Sequence, residues 1–138
     1  MEPSTLREHS AAEKTRVAER VAERVLEADP AVLSLMVLDV NDGGRVLAVA
    51  RSPSLPSHER ADPGTVQRFA IAAVVVWGAA RQAAQLMGKR EFIVGAFREQ
   101  MVLLADLGEY EMLLAIRLGR SSNAEHVYTK VASSLGLR

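Results

Sequence analysis

Residues 32–51, VLSLMVLDVNDGGRVLAVAR, have the pattern of a β-hairpin. Residues 32–38 are apolar at nearly every position, which is typical of a strand in the middle of a sheet. Residues 41–44 (Asn-Asp-Gly-Gly) predict the turn, because these residue types tolerate positive φ angles. Residues 45–51 return as a second strand with an arginine at each end.

A charged helix is predicted before the hairpin, over about residues 5–28. Val17, Val21 and Val25 recur every four residues and form one apolar stripe, while the other positions are mostly charged or small. The helix is expected to end before Pro30, since the proline ring disfavours the α conformation in the preceding residue.

A longer helix is predicted after the hairpin, beyond a loop rich in serine and proline at residues 52–60. Asp62-Pro63 has the order of an N-cap followed by a first helical residue. We expect this helix to continue to about Met87 and to end at Gly88, followed by two cations.

Three more strands and a last helix complete the predicted chain order, α-β-β-α-β-β-β-α. The strands are expected at residues 91–97, 100–106 and 110–118. The spacing of Ser122 and Glu125 is that of a capping box, which would open the last helix, at about 122–136. These patterns predict an α+β fold with a single five-stranded antiparallel sheet, the long helix on one face and the N- and C-terminal helices flanking it. One domain is expected over residues 1–138, with its core at about 32–118.

The composition excludes several classes of function. The chain has 138 residues, 49% of them hydrophobic, and no cysteine, so disulfides, thiolate catalysis and cysteine metal sites are ruled out. Its 17 basic and 17 acidic residues give no net charge, whereas proteins that bind nucleic acids or anionic membranes usually have a basic excess. No export signal is evident, and the longest apolar run, residues 69–80, is too short to cross a bilayer. We therefore expect a cytoplasmic protein.

Sequence motifs for catalysis or cofactor binding are not found. The three histidines lie in separate segments without the spacing of metal ligands. Gly88-Lys89 lacks the glycine and the hydroxyl residue that a phosphate-binding loop requires, and there is no Gly-x-Ser-x-Gly motif. We expect a protein that is not an enzyme and that uses no cofactor or metal.

The long helix is apolar on more than one side. One side carries Val66, Ala70, Ala73, Val74 and Trp77, and another carries Phe69, Ala72, Val76, Ala80 and Ala83. A single sheet can cover only one of them, so the second side predicts self-association. Gly78, expected near the middle of the helix, would allow a second helix to approach closely. The alternative is that the N-terminal helix of the same chain covers the second side.

The strand at residues 91–97 is expected at an edge of the sheet. It has no proline and no inward-pointing charge of the kind that prevents edge-to-edge pairing. Two copies could therefore pair through this strand while their long helices pack antiparallel, in the two-fold arrangement that is commonest among oligomers.

The element order and the apolar segments resemble the Roadblock family (the dynein light-chain Roadblock type). The resemblance is carried by Asn41-Asp42-Gly43-Gly44 with the following residues 45–49, and by the apolar segments 102–104 and 112–116. In that family the first hairpin has a D-x-x-G-x-hydrophobic-hydrophobic-A character. Asp39, either Gly43 or Gly44, and Ala48 can take those parts here.

The resemblance implies a profilin-like fold, dimerisation through the long helix and the third strand, and a non-catalytic partnership with small Ras-like GTPases. It implies no fixed motif for the GTPase contact, although Arg51, Arg60 or Arg98 could supply an arginine in trans. The dimer-interface residues implied by the resemblance are Val74, Val75, Trp77, Gly78, Arg81, Phe92, Ile93, Val94, Gly95 and Phe97.

We therefore predict a homodimeric scaffold or regulator that binds a small Ras-like GTPase. One alternative is a small-molecule sensor of the PAS type, which would need a hollow with convergent polar groups. Ser34 is the one polar residue among the predicted core-facing positions, which favours a filled core. A further alternative is a structural adaptor without a nucleotide-dependent partner.

Overall fold

A computed structural model describes residues 3–55, 63–88, 92–107 and 111–136. It confirms the predicted α+β fold with one five-stranded antiparallel sheet, in the strand order β2-β1-β5-β4-β3. The helices are α1 (Pro3–Ala28), α2 (Pro63–Ala79), α3 (Arg81–Met87) and α4 (Ala124–Leu135). The strands are β1 (Val32–Asp39), β2 (Arg45–Arg51), β3 (Phe92–Ala96), β4 (Gln100–Asp106) and β5 (Met112–Gly119). The single domain over residues 1–138 stays a prediction.

The position of β1 in the sheet explains why residues 32–38 are so apolar. Both β1 and β5 have a neighbouring strand on each side and are covered on both faces. On β1, Leu35 and Val37 are buried in the core on one face, and Leu38 is buried in the core on the other. A strand covered on both faces needs apolar side chains at successive positions instead of alternating ones.

Helices α1 and α4 cover one face of the sheet. The apolar stripe of α1 is buried there through Ala18, Ala22 and Val25, and α4 contributes Val127 and Val131 to the same core. Helix α2 packs on the opposite face, in a separate core. The N-terminal helix therefore does not cover the second apolar side of α2, because the sheet lies between them.

The long helix differs from the prediction because it is divided at Ala80, where α2 ends and α3 begins. Backbone hydrogen bonds continue across the division: the Ala80 amide donates to the Val76 carbonyl at 3.3 Å, and the Ala84 amide donates to Ala80 at 3.1 Å. Gly88 ends α3 with a positive φ of 101°, as predicted for a C-terminal glycine. The predicted N-cap, Asp62, lies outside the described residues.

The hairpin turn is held by Asp39, which the structure buries at the end of β1. Its carboxylate accepts a hydrogen bond from the backbone amide of Asn41 at 3.1 Å and lies 3.5 Å from the ammonium group of Lys14 on α1. Gly43 and Gly44 follow with φ angles of 60° and 86°. Asp39 therefore links the hairpin turn to α1, which lies on the opposite face of the sheet from α2. The turn motif alone did not indicate this link.

Helix α4 begins one residue later than the capping box predicts. Its N-cap is Asn123, whose side chain accepts a hydrogen bond from the backbone amide of His126 at 3.1 Å. Ser122 instead lies in the preceding turn, where its backbone amide donates to the carbonyl of Gly119. An asparagine is as good an N-cap as a serine, so the residue type alone does not distinguish the two positions.

Replacing the observed cap tests this assignment. Asn123→Ala is expected to lower the free energy of unfolding by about 1 kcal/mol, since one amide of the first turn loses its acceptor. The matched control, Ser122→Ala, is expected to change it by less than about 0.5 kcal/mol. Urea denaturation of both variants measures the difference, and a larger loss for Ser122→Ala would contradict the assignment.

Candidate interaction surface and the Roadblock fold

Helix α2 has an apolar face that nothing in the described structure covers. Ala70, Ala73 and Trp77 pack against the sheet, and the side chain of Trp77 is only 6% exposed. Turned away from the sheet are Ile71, Val75 and Val76, which we call the helix strip, and Val75 is 63% exposed. Three β-branched aliphatic side chains within six residues form a continuous apolar patch rather than scattered surface residues.

The sheet has an open edge on its β3 side. The predicted edge position is confirmed, since among the described strands β3 pairs with β4 alone and ends the strand order. Val94 on β3 is exposed, and Phe97, the residue that follows the end of β3, is 63% exposed. Phe97 lines the same groove as Val66 and Phe69 of α2. An unpaired strand edge with apolar side chains is a template for pairing with another chain.

The structure separates the predicted interface residues into three groups. Val75, Gly78, Val94 and Phe97 are exposed, Gly95 is partly exposed, and Val74 is partly exposed but packs against the core under α2. Trp77, Phe92 and Ile93 pack inward: Trp77 and Ile93 join the core under α2, and the ring of Phe92 lies 4.6 Å from that of Tyr128 on α4. The side chain of Arg81 lies outside what the structure describes.

Gly78 lies next to the last residue of α2, not near the middle of one long helix. A β-carbon added there would meet no atom within 4 Å. Packing within the described part of the chain therefore does not require a glycine at this position, and the approach of a partner helix stays a prediction.

Four exposed large apolar residues of α2 and α3 were missing from the predicted interface: Ile71, Val76, Leu86 and Met87. The exposed fraction of Leu86 is 89%, the highest among the large apolar side chains of the described residues. The sequence could have indicated the helix strip, because Ile71 and Val75 are four residues apart and therefore lie on one face of the helix. Leu86 and Met87 could not be placed, since their direction depends on the division at Ala80.

A groove of about 950 Å³ lies on the α2 side of the sheet, at the end that α2 leaves uncovered. Ser34 lines it, together with apolar side chains such as Met36 and Val102. Ser34, which was predicted to face a filled core, therefore lies beside an open space instead. Among the described residues the groove is partly open to solvent, whereas a sensor of the PAS type requires an internal hollow.

Within the described ranges, no three histidine, aspartate or glutamate side chains lie close enough to hold a metal ion. His126 is exposed at the start of α4, and the side chains of the other two histidines are not described. Arg51 and Arg98 lie in the lining of the groove, whereas Arg60 is outside the described residues. The absence of a catalytic role, a cofactor and a metal stays a prediction.

Comparison with solved structures identifies the architecture. The structure is similar to a Roadblock/LC7 domain from Streptomyces avermitilis, with a TM-score of 0.65 and 17% identity over 86% of this chain and 91% of that one. The chain has the Roadblock fold. It is also similar to the gliding protein MglB from Thermus thermophilus, with a TM-score of 0.65 and 16% identity over 91% of this chain and 87% of the other.

A third similar structure is MglB in a tetrameric arrangement, with a TM-score of 0.69 and 18% identity over 88% of this chain and 85% of that one. No protein-family model and no curated protein sequence matches the chain. At these identities the likeness concerns the Roadblock fold, which agrees with the resemblance seen in the hairpin and strand segments.

No helix in the described part of the chain is long and apolar enough to cross a membrane, and the cytoplasmic location stays a prediction.

Proposed function

We propose that this Roadblock-fold protein is a homodimeric, non-catalytic scaffold or regulator that binds a small Ras-like GTPase. The observations that carry the proposal are the exposed helix strip of Ile71, Val75 and Val76 and the open edge of β3. Two copies related by a two-fold axis would cover both features at once, because the same apolar patch and the same strand edge then face each other.

The dimer interface is proposed to consist of the helix strip, Gly78, and the exposed edge residues Val94 and Phe97. Pairing of two β3 strands would satisfy backbone groups that β4 leaves open and would extend the sheet across both copies. One of the similar structures is MglB in a tetrameric arrangement, so assembly of copies occurs for that protein. The inward-packed residues Trp77, Phe92 and Ile93 would support the interface from beneath.

The GTPase partner is proposed from the Roadblock resemblance together with the fold. A regulator without its own catalytic groups acts by binding one nucleotide state more tightly than the other, which shifts the GTPase toward that state. It would do so through contacts with the segments that the γ-phosphate orders. The proposal therefore requires a difference in affinity between the GTP and GDP forms.

A titration tests the GTPase partnership. Ras-like GTPases from the same cell would be loaded with fluorescent GDP or with a fluorescent, non-hydrolysable GTP analogue, and the full chain would be added while anisotropy is recorded. We expect one GTPase to bind with at least about tenfold higher affinity in one form than in the other, a difference within the usual range of coupling free energies.

The other outcomes of this titration are equally informative. Equal affinity for both forms would support the structural adaptor and contradict a nucleotide-dependent regulator. Absence of binding to either form of every candidate at tens of micromolar would contradict the GTPase proposal as a whole. Where binding occurs, the rate of GTP hydrolysis with and without the protein separates an activator from a tether.

A further inference from the structure

The carboxylate of Asp39, at the end of β1, forms an ion pair with Lys14 on α1. Their charged atoms are 3.5 Å apart, and the side chains are only 10% and 18% exposed. The same carboxylate oxygen accepts a hydrogen bond from the backbone amide of Asn41 at 3.1 Å. These two partners stabilise the carboxylate, because an unpaired charge with so little access to water is strongly unfavourable.

The hairpin turn that follows Asp39 is closed by backbone hydrogen bonds. The amide of Gly44 donates to the carbonyl of Asp39 at 3.0 Å, and residues 40–42 between them form one turn of 3-10 helix. The amide of Val40 also donates to the carbonyl of Glu111 at 3.1 Å, which fixes the turn to the start of β5. Rigid elements of this kind transmit a displacement, so a movement of Asp39 also moves Gly44.

Gly44 lies against α2, on the other face of the sheet from α1. The residue is buried, and a β-carbon there would lie 3.0 Å from the side chain of Val74 and 3.2 Å from the backbone oxygen of Ala70. These two residues directly precede Val75 and Ile71, which belong to the helix strip. The turn therefore sets how closely this part of α2 packs on the sheet, and with it the position of the strip.

We propose that Lys14 and Asp39 are positioning residues for the helix strip. Their ion pair holds the turn, and the turn holds α2 where the strip can meet a second copy of the chain. Neither residue contacts the strip itself, because the sheet lies between α1 and α2. The inference rests on the proposed dimer for what the strip binds, whereas the link from α1 through the turn to α2 rests on the contacts alone.

Loss of the Lys14 ammonium group would leave the Asp39 carboxylate mostly buried and unpaired. Its solvation improves when the end of β1 moves toward water, and the closed turn moves with it. The contact of Gly44 with Val74 then changes, although no atom of α2 has been altered. An effect on dimerisation would therefore come from α1, across the full thickness of the sheet.

Substitutions in the ion pair test the proposal on the full-length chain. Lys14→Met removes the charge and keeps a side chain of similar length, and we expect it to raise the dimer Kd at least about fivefold in sedimentation equilibrium. Asp39→Asn should raise the Kd less, since its amide oxygen still accepts from the Asn41 amide and no carboxylate is left unpaired. In the Asp39→Asn background, Lys14→Met should change the Kd by less than about twofold, because the two residues act as a unit.

A second ion pair, at the other end of β1, provides a matched control. Lys130 on α4 lies 3.7 Å from the carboxylate of Asp29, which is 8% exposed and also accepts a hydrogen bond from the amide two residues later, that of Ala31, at 2.8 Å. This pair joins α4 to the segment before β1 and not to the hairpin turn. Lys130→Met and Lys14→Met should both lower the urea concentration at the midpoint of unfolding, but Lys130→Met should leave the dimer Kd within about twofold of the wild type.

Trp77 supplies a readout that needs no partner. It is the one tryptophan of the chain, and it packs between α2 and the sheet with 6% exposure. We expect Lys14→Met to increase the quenching of its fluorescence by acrylamide, under conditions in which circular dichroism shows a folded protein. Lys130→Met should leave the quenching unchanged, so a general loss of stability is distinguished from a movement of α2.

Equal effects of Lys14→Met and Lys130→Met on the dimer Kd and on the quenching of Trp77 would overturn the inference and leave the proposed dimer standing. A monomeric wild-type protein would contradict the dimer instead, and the quenching would then decide the link between α1 and α2 by itself. Lys14→Gln, which keeps a hydrogen-bond donor in place of the charge, carries the same expectations should Lys14→Met fail to fold.

Discussion

Val75→Glu is expected to convert the protein from a dimer to a monomer. In a two-fold interface through α2, the two introduced carboxylates would face each other within an apolar contact, where an unpaired charge is strongly unfavourable. We expect the dimer Kd to rise at least about 100-fold, which corresponds to about 2.7 kcal/mol. Folding of the single copy should be almost unaffected, because Val75 is 63% exposed there.

Sedimentation equilibrium over a range of concentrations measures this effect, and circular dichroism checks that the variant is folded. The matched control is Val49→Glu, which changes an exposed valine on the opposite edge strand, β2. That variant is expected to remain a dimer. A wild-type protein that is monomeric at micromolar concentration, or a Val75→Glu variant that stays dimeric, would contradict the proposed interface.

Gly44→Ala is expected to lower the free energy of unfolding by about 3 kcal/mol. The residue has a φ of 86°, a conformation that costs an L-residue about 1–2 kcal/mol. An added β-carbon would also lie 3.0 Å from the side chain of Val74 and 3.2 Å from the backbone oxygen of Ala70 on α2. Relieving this contact requires α2 to shift, and overpacking of this kind typically costs about 1–3 kcal/mol more.

The neighbouring glycine provides the control for this prediction. Gly43 has a φ of 60°, but an added β-carbon there would meet nothing within 4 Å. Gly43→Ala should therefore lower the free energy of unfolding by about 1 kcal/mol, which is the cost of the backbone conformation alone. Guanidinium denaturation of both variants measures the difference. Equal losses would contradict close packing of the turn against α2.

The two glycines also differ in a way that the Roadblock resemblance did not indicate. Either Gly43 or Gly44 could fill the glycine position of the family pattern, since both tolerate a positive φ. The structure shows that Gly44 is the one that α2 approaches closely. A turn motif indicates which residues adopt unusual backbone angles, but contact with a helix more than 20 residues away depends on tertiary packing.

The predicted interface shows the same division between local pattern and packing. Its location on α2 and at the β3 edge followed from hydrophobic periodicity and strand order, and the structure places exposed residues such as Val75 and Phe97 there. Trp77 was assigned to the interface through the Roadblock resemblance, yet it is buried against the sheet. When most faces of a helix are apolar, periodicity does not indicate which face the sheet covers.

The amino-acid sequence by itself determined the class of fold, the hairpin, the edge position of β3 and the surplus of apolar residues on the second helix. These features depend on local periods and on turn-forming residues, which act over a few positions along the chain. Tertiary structure alone decided that α1 lies across the sheet from α2, and that Ser34 of β1 pairs with Arg51 on one side and with Arg117 on the other. Both depend on strand register and on which side of the sheet each helix packs, and those are properties of residues distant in the chain.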